Sequence, residues 1–77
     1  MMTSQQALVL VQKILDFWAE NDLFTKEHTF INEYGEIEII SISLGGRCIG
    51  ALSNKFKYIN VTTSFQFPDH IKVVCSL

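Results

Sequence analysis

Charge is scarce in this chain. Of its 77 residues only 18% are Asp, Glu, Lys or Arg, against roughly 25% in an ordinary soluble domain. Apolar residues make up 48%. That combination excludes intrinsic disorder, which needs low hydrophobicity and high charge. A net charge of −2 argues against any general attraction to nucleic acid. No apolar run approaches the roughly 18 residues of a membrane span, so no membrane partner is expected. The opening residues Met1-Met2-Thr3-Ser4-Gln5-Gln6 contain no basic segment of the kind that begins a secretory signal, and a cytoplasmic setting is the expectation. Asn60-Val61-Thr62 then reads as a chance glycosylation triplet. Cys75-Ser76-Leu77 is too short for a prenylation box.

Cysteine and histidine occur twice each, and neither in a metal-binding spacing. His28, His70, Cys48 and Cys75 form no C-x-x-C or H-x-x-x-H pattern. Cys48 and Cys75 are expected as buried, reduced thiols. Glu36 and Glu38 share one strand face, but nothing nearby suggests a pocket that would separate two carboxyl pKa values for acid–base work. Gly45-Gly46-Arg47 lacks the Gly-Lys-Ser/Thr ending of a phosphate loop. No catalytic residue, metal or cofactor is expected, and the chain reads as a non-enzyme.

What is present is one helical pattern followed by strand patterns. Thr3 and Gln6 fit a capping box, which starts a helix at Ser4. On a wheel, Ala7, Leu8, Leu10, Val11, Ile14, Leu15, Phe17 and Trp18 share one half, and only Val9 breaks the pattern. Asn21-Asp22 should end this helix, with Leu23 and Phe24 folding back beneath it. Strands are expected over His28–Tyr34, Glu36–Leu44, Arg47–Leu52, Phe56–Phe65 and His70–Ser76, with Gly45-Gly46 as a two-residue hairpin turn. The fold class is therefore α+β: a single domain over residues 1–77, with one N-terminal amphipathic helix packed on a four- or five-stranded antiparallel meander.

A Gly-Gly hairpin sets Ile42 opposite Ile49, Ile40 opposite Ala51 and Glu36 opposite Lys55. It assigns Ile40, Ile42, Leu44, Ile49 and Ala51 to the helix side. The opposite face then carries Ile37, Ile39, Cys48 and Leu52, joined by Phe56 and Tyr58 if Ser53-Asn54-Lys55 is a three-residue loop, an apolar patch that one helix cannot shield; a two-residue loop would turn Phe56 and Tyr58 to the helix side and shrink the patch. Charge is also divided along the chain. Residues 14–46 hold seven acids (Asp16, Glu20, Asp22, Glu27, Glu33, Glu36, Glu38) and one base, Lys26, whereas residues 47–77 hold four bases and one acid.

These features point to a small protein-binding module that inhibits or modulates a larger partner by occupying its surface. Phage-type inhibitors of host defence such as anti-CRISPR proteins, and antitoxin or immunity proteins, are the class-level analogy. The expected partner-binding residues are Glu33, Glu36 and Glu38 for charge and Ile37, Ile39, Phe56 and Tyr58 for apolar contact. The partner would be a protein, one with a basic nucleic-acid-binding surface being the best charge match; the excess apolar surface also suggests a homodimer. The alternative is a nucleic-acid-binding regulator that uses the Lys55-Phe56-Lys57-Tyr58 strand, where bases and rings alternate.

Overall fold

A computed structural model describes residues 2–18, 28–42, 44–65 and 69–77. The element order is α1 (Ser4–Trp18), β1 (Thr29–Ile31), β2 (Ile37–Ser41), α2 (Gly46–Lys55), β3 (Tyr58–Thr63) and β4 (Ile71–Ser76). The fold is α+β, with a four-stranded antiparallel sheet.

The first helix starts as its sequence dictates. Thr3 N–H donates to Gln6 Oε1 at 2.9 Å, and Gln6 N–H donates to Thr3 Oγ1 at 3.2 Å, which completes the capping box. Ala7, Val11, Ile14 and Leu15 form its buried stripe. Val9 is exposed, as the wheel requires. Phe17 and Trp18 differ from the expectation: they are 75% and 38% exposed and pack edge-to-face on each other, with centroids 4.7 Å apart. The last turn of α1 runs past the buried stripe. Asn21-Asp22, Leu23 and Phe24 lie outside the described residues.

The largest departure from the sequence reading is at residues 45–55. Gly45 is extended (φ −68, ψ 157) and caps a helix instead of opening a hairpin. A primed two-residue turn needs positive φ, and among the described residues only Gly35 has it. Residues 46–55 hold a single β-branched side chain, Ile49, and so have little strand preference. Their apolar members fall at helical spacing: Cys48 and Leu52 are buried four residues apart, with Ile49 and Ala51 beside them. Ile49 N–H donates to Gly45 C=O at 3.1 Å, Phe56 N–H to Leu52 C=O at 3.0 Å, and Lys55 sits in the last turn, where a cation complements the helix dipole.

Removing that strand changes the topology. The sheet order is β1-β2-β4-β3, not a sequential meander, because α2 carries the chain across and β4 inserts between β2 and β3. Ile37 faces Cys75, Ile39 faces Val73 and Ser41 faces Ile71, while Ile59 faces Cys75 and Val61 faces Val73 from the other side. The odd-numbered residues therefore turn toward the helices. The core joins Ala7, Val11, Ile14 and Leu15 of α1, Cys48 and Leu52 of α2, Leu44, Phe56, and Ile37, Ile39, Val73 and Cys75 of the sheet. The expected assignment of Ile40 and Ile42 to the helix side is corrected: period two makes the two faces of a strand interchangeable by a single slip, and the β4 register selects the odd one.

The β1–β2 turn is locked to the start of α1. Ser4 Oγ donates to Gly35 C=O at 2.8 Å, and Gly35 has φ +78, with Ser4 Oγ only 3.2 Å from where a Cβ would sit. Gly50, on the exposed side of α2, has open space around it. The two glycines should respond oppositely in urea unfolding. Gly35→Ala should destabilise by about 1–2 kcal/mol through left-handed strain, and Gly50→Ala should stabilise by about 0.5–1 kcal/mol through helix propensity. Shifts of the same sign would contradict this placement.

Candidate binding surface

The even-numbered residues of the strands form the sheet face opposite the helices. In rows across it stand Phe30, Glu38, Val74 and Asn60, and next to them Ile40, Lys72 and Thr62. Among the described residues no helix lies over this open face, since α1 and α2 both join the core on the other side.

A polar lattice occupies one end. Asn32 closes the β1–β2 turn as an Asx-turn residue, its Oδ1 accepting from the backbone N–H of Tyr34 and of Glu36, each at 2.9 Å. Its Nδ2 donates to Glu36 Oε1 at 3.1 Å and to Glu38 Oε2 at 2.9 Å. Ser76 Oγ donates to the second oxygen of Glu36 at 2.5 Å. Lys72 Nζ lies 3.6 Å from Glu38 Oε1. Glu36 and Glu38 thus tie the turn to β4. The hydrogen bond from Ser76, then that from Asn32, hold the Glu36 carboxyl below its ordinary 4.5, with Lys72 helping and burial opposing.

Beside the lattice runs a trough of about 540 Å³, lined by Phe30, Glu38, Ile40, Thr62–Phe65 and Lys72. Phe30 and Phe65 are its exposed aromatic flanks, at 40% and 101% exposure, whereas Ile40 is buried among the lining residues.

The expected docking residues are distributed differently from the sequence reading. Ile37, Ile39 and Phe56 are core residues, at 0%, 0% and 4% exposure, and cannot present an apolar patch. The reason is the loss of the Gly-Gly hairpin, which turns Ile37 and Ile39 inward and puts Phe56 at the C-cap of α2. Tyr58 is exposed on the open face, with Lys57 Nζ 5.5 Å from its ring centroid. Phe56 and Tyr58 therefore do not form a shared stacking platform with Lys55, which belongs to α2. The expected Glu36–Lys55 pairing is replaced by the lattice. Glu33 is exposed in the turn; Glu20, Asp22 and Glu27 lie outside the described residues. The residues missed include Phe30, Ile40 and Lys72, and Phe65 at the end of the trough. The shared face of the first three follows only from the β2–β4 and β1–β2 registers, and the β2–β4 pair is formed by strands distant in sequence.

Cys48 and Cys75 are buried free thiols, as expected. Burial pushes Cys48 up, and burial with the nearby Cys48 pushes Cys75 up to about 12. Both stay protonated and poorly nucleophilic at neutral pH. Among the described residues no group of three or more His, Cys, Asp or Glu could hold a metal ion, and no helix is long and apolar enough to cross a membrane.

Two outcomes follow. Glu36 has a depressed folded pKa, so its contribution to stability is complete above the ordinary 4.5 and is lost as pH falls through the lower folded value. Chemical denaturation between pH 6 and about 2 should show a steeper acid loss for the wild type than for Glu36→Gln; parallel curves would remove the stabilising role given to this carboxylate. Ellman's reagent at pH 8 should leave both thiols unmodified in the native protein and modify both after denaturation; rapid native labelling would contradict their burial. Comparison with protein-family models, with curated proteins and with solved structures finds no match to this chain.

Proposed function

We propose that the chain is a small non-enzymatic binding module that modulates a larger protein by occupying part of its surface, and that the contact is made by the open face of the sheet. The observation that carries this reading is the trough between Phe30 and Phe65, floored by Ile40 and the Glu38–Lys72 pair, on a face that no described helix covers. Exposed aromatics around a partly desolvated centre have the composition of a protein-contact hot spot. The trough suits an extended protein segment that places an apolar side chain between the rings, with the Thr62 hydroxyl meeting its polar groups.

The non-enzymatic reading is supported by what the reactive groups already do. Both thiols are buried and protonated, and the two carboxylates nearest the trough are held by Asn32, Ser76 and Lys72. The same contacts move the binding argument away from an acidic patch. Glu36 and Glu38 are engaged within the fold, and Glu33 remains the exposed acid beside the turn. The inhibitor class named from the sequence fits this mode of action, since occupancy alone is sufficient for inhibition.

The test is a matched capture. Immobilised wild type, Phe30→Ala/Phe65→Asp and a control, Val9→Asp on the exposed side of α1, are presented to the same lysate of the source cells. A partner retained by the wild type and the control should be lost from the double variant by at least about tenfold, as expected for hot-spot aromatics. Equal retention by all three, or no specific retention by the wild type, overturns the open-face reading.

A further inference from the structure

The two edges of the sheet are built differently. β1 is three residues long and runs next to α1, whereas β3 is six residues, Tyr58-Ile59-Asn60-Val61-Thr62-Thr63. Natural edge strands are blunted by charges, proline, bulges or shortness, and β3 has none of these: it pairs with β4 without interruption over all six residues. Among the described residues it is only lightly covered: Ile59 packs against the core, and the other five residues are exposed. Val61, which points to the helix side, is 45% exposed, and Tyr58 on the open side is 61% exposed.

The direction of its free hydrogen-bonding groups follows from the ladder. Ser64 N–H donates to His70 C=O at 3.1 Å, and antiparallel bonding alternates. Asn60 and Thr62 therefore bond toward β4, and the N–H and C=O groups of Ile59, Val61 and Thr63 point away from the sheet. We propose that this edge pairs antiparallel with the β3 edge of a second copy, about a two-fold axis through Val61 normal to the sheet. Val61 then faces Val61 of the other copy, and Ile59 faces Thr63 in both directions, so three facing pairs each exchange two backbone hydrogen bonds. On the helix side every cross-strand pair is β-branched, the type that packs best on a pleated surface. On the open side Asn60 faces Thr62, and no charges oppose each other. The symmetry is closed, so growth stops at two. Both copies keep their helices on one side of a continuous sheet, and their troughs, each walled by Thr62–Phe65, flank the dyad. This pairing uses the edge alone and stands apart from the open-face reading: a dimer that binds no partner, or a monomer that binds one, would separate the two.

Sedimentation equilibrium on the full chain should give a mass twice the 8.8 kDa of the monomer. Val61→Pro removes an outward N–H but no β4 bond, and Val61→Lys adds charge at the axis; both should be monomeric with unchanged far-UV circular dichroism. Hydrogen-bonded antiparallel partners have Cα atoms about 5.5 Å apart, within disulfide range. Val61→Cys should therefore oxidise to a covalent dimer, whereas Thr62→Cys, offset from its symmetry mate, should not, and the wild type with its buried thiols should remain uncrosslinked. A wild type that is monomeric at every concentration leaves the edge to strands of other proteins and overturns the proposal. So does a dimer that persists in Val61→Lys, or equal crosslinking at positions 61 and 62.

Discussion

Ile37 and Ile39 of β2 stand opposite Cys75 and Val73 of β4, and all four side chains are fully buried. This pairing is the constraint on which the other features rest. It fixes which face of the sheet meets Leu15 and Val11 of α1 and Leu52 and Cys48 of α2. It places β4 between β2 and β3, and so leaves β3 as an edge. It sets Ser76 beside Glu36 and Lys72 diagonally across from Glu38, from which the polar lattice follows. A chain this small has a single core, so one register decides the burial of nearly every apolar side chain at once.

The polar lattice shows how the same residues serve structure instead of solvent. Asn32 directs its amide at two carboxylates and its carbonyl oxygen at two backbone N–H groups. Every strong hydrogen-bonding site on that side chain is engaged, which fixes the β1–β2 turn; Gly35 and Ser4 then clamp the turn to the helix start. Carboxylates held in this way attract a basic partner less than free ones would, because their charge is already compensated by donors within the fold. Apolar groups also stay exposed on this side of the sheet: Phe30, Phe65 and Tyr58 on the open face, with the uncharged β3 edge beside them. These are distinct surfaces with distinct chemistry, one suited to side-chain insertion and the other to backbone pairing.

Much of the fold was legible in the sequence because its signals are local. Thr3 and Gln6 announce the helix start through hydrogen bonds that span three residues. The β-branched stretches Ile37–Ser41, Tyr58–Thr63 and Ile71–Ser76 form strands close to where the alternation puts them. The burial of both thiols also follows from local apolar context. Gly45-Gly46 misled for a physical reason: paired glycines permit a primed turn without requiring one, and the helical spacing of Cys48 and Leu52 competes with it. Of the expected contact residues, Tyr58 and Glu33 are exposed; Ile37, Ile39 and Phe56 are inside, because their exposure depended on that turn.

The residue order by itself determined the α+β class, the capped N-terminal helix, the excess of apolar over charged residues and a chain reversal near Gly35 between the first two strands. Each of these is set by interactions between residues a few positions apart, or by composition alone. Only the tertiary structure decided that residues 46–55 are helical, that odd-numbered strand residues face inward, that Phe30, Ile40, Phe65 and Lys72 share one trough, and that β3 forms an open edge. Strand pairing between segments thirty or more residues apart leaves no local trace, because each strand of this sheet carries apolar side chains on both faces and could bury either one.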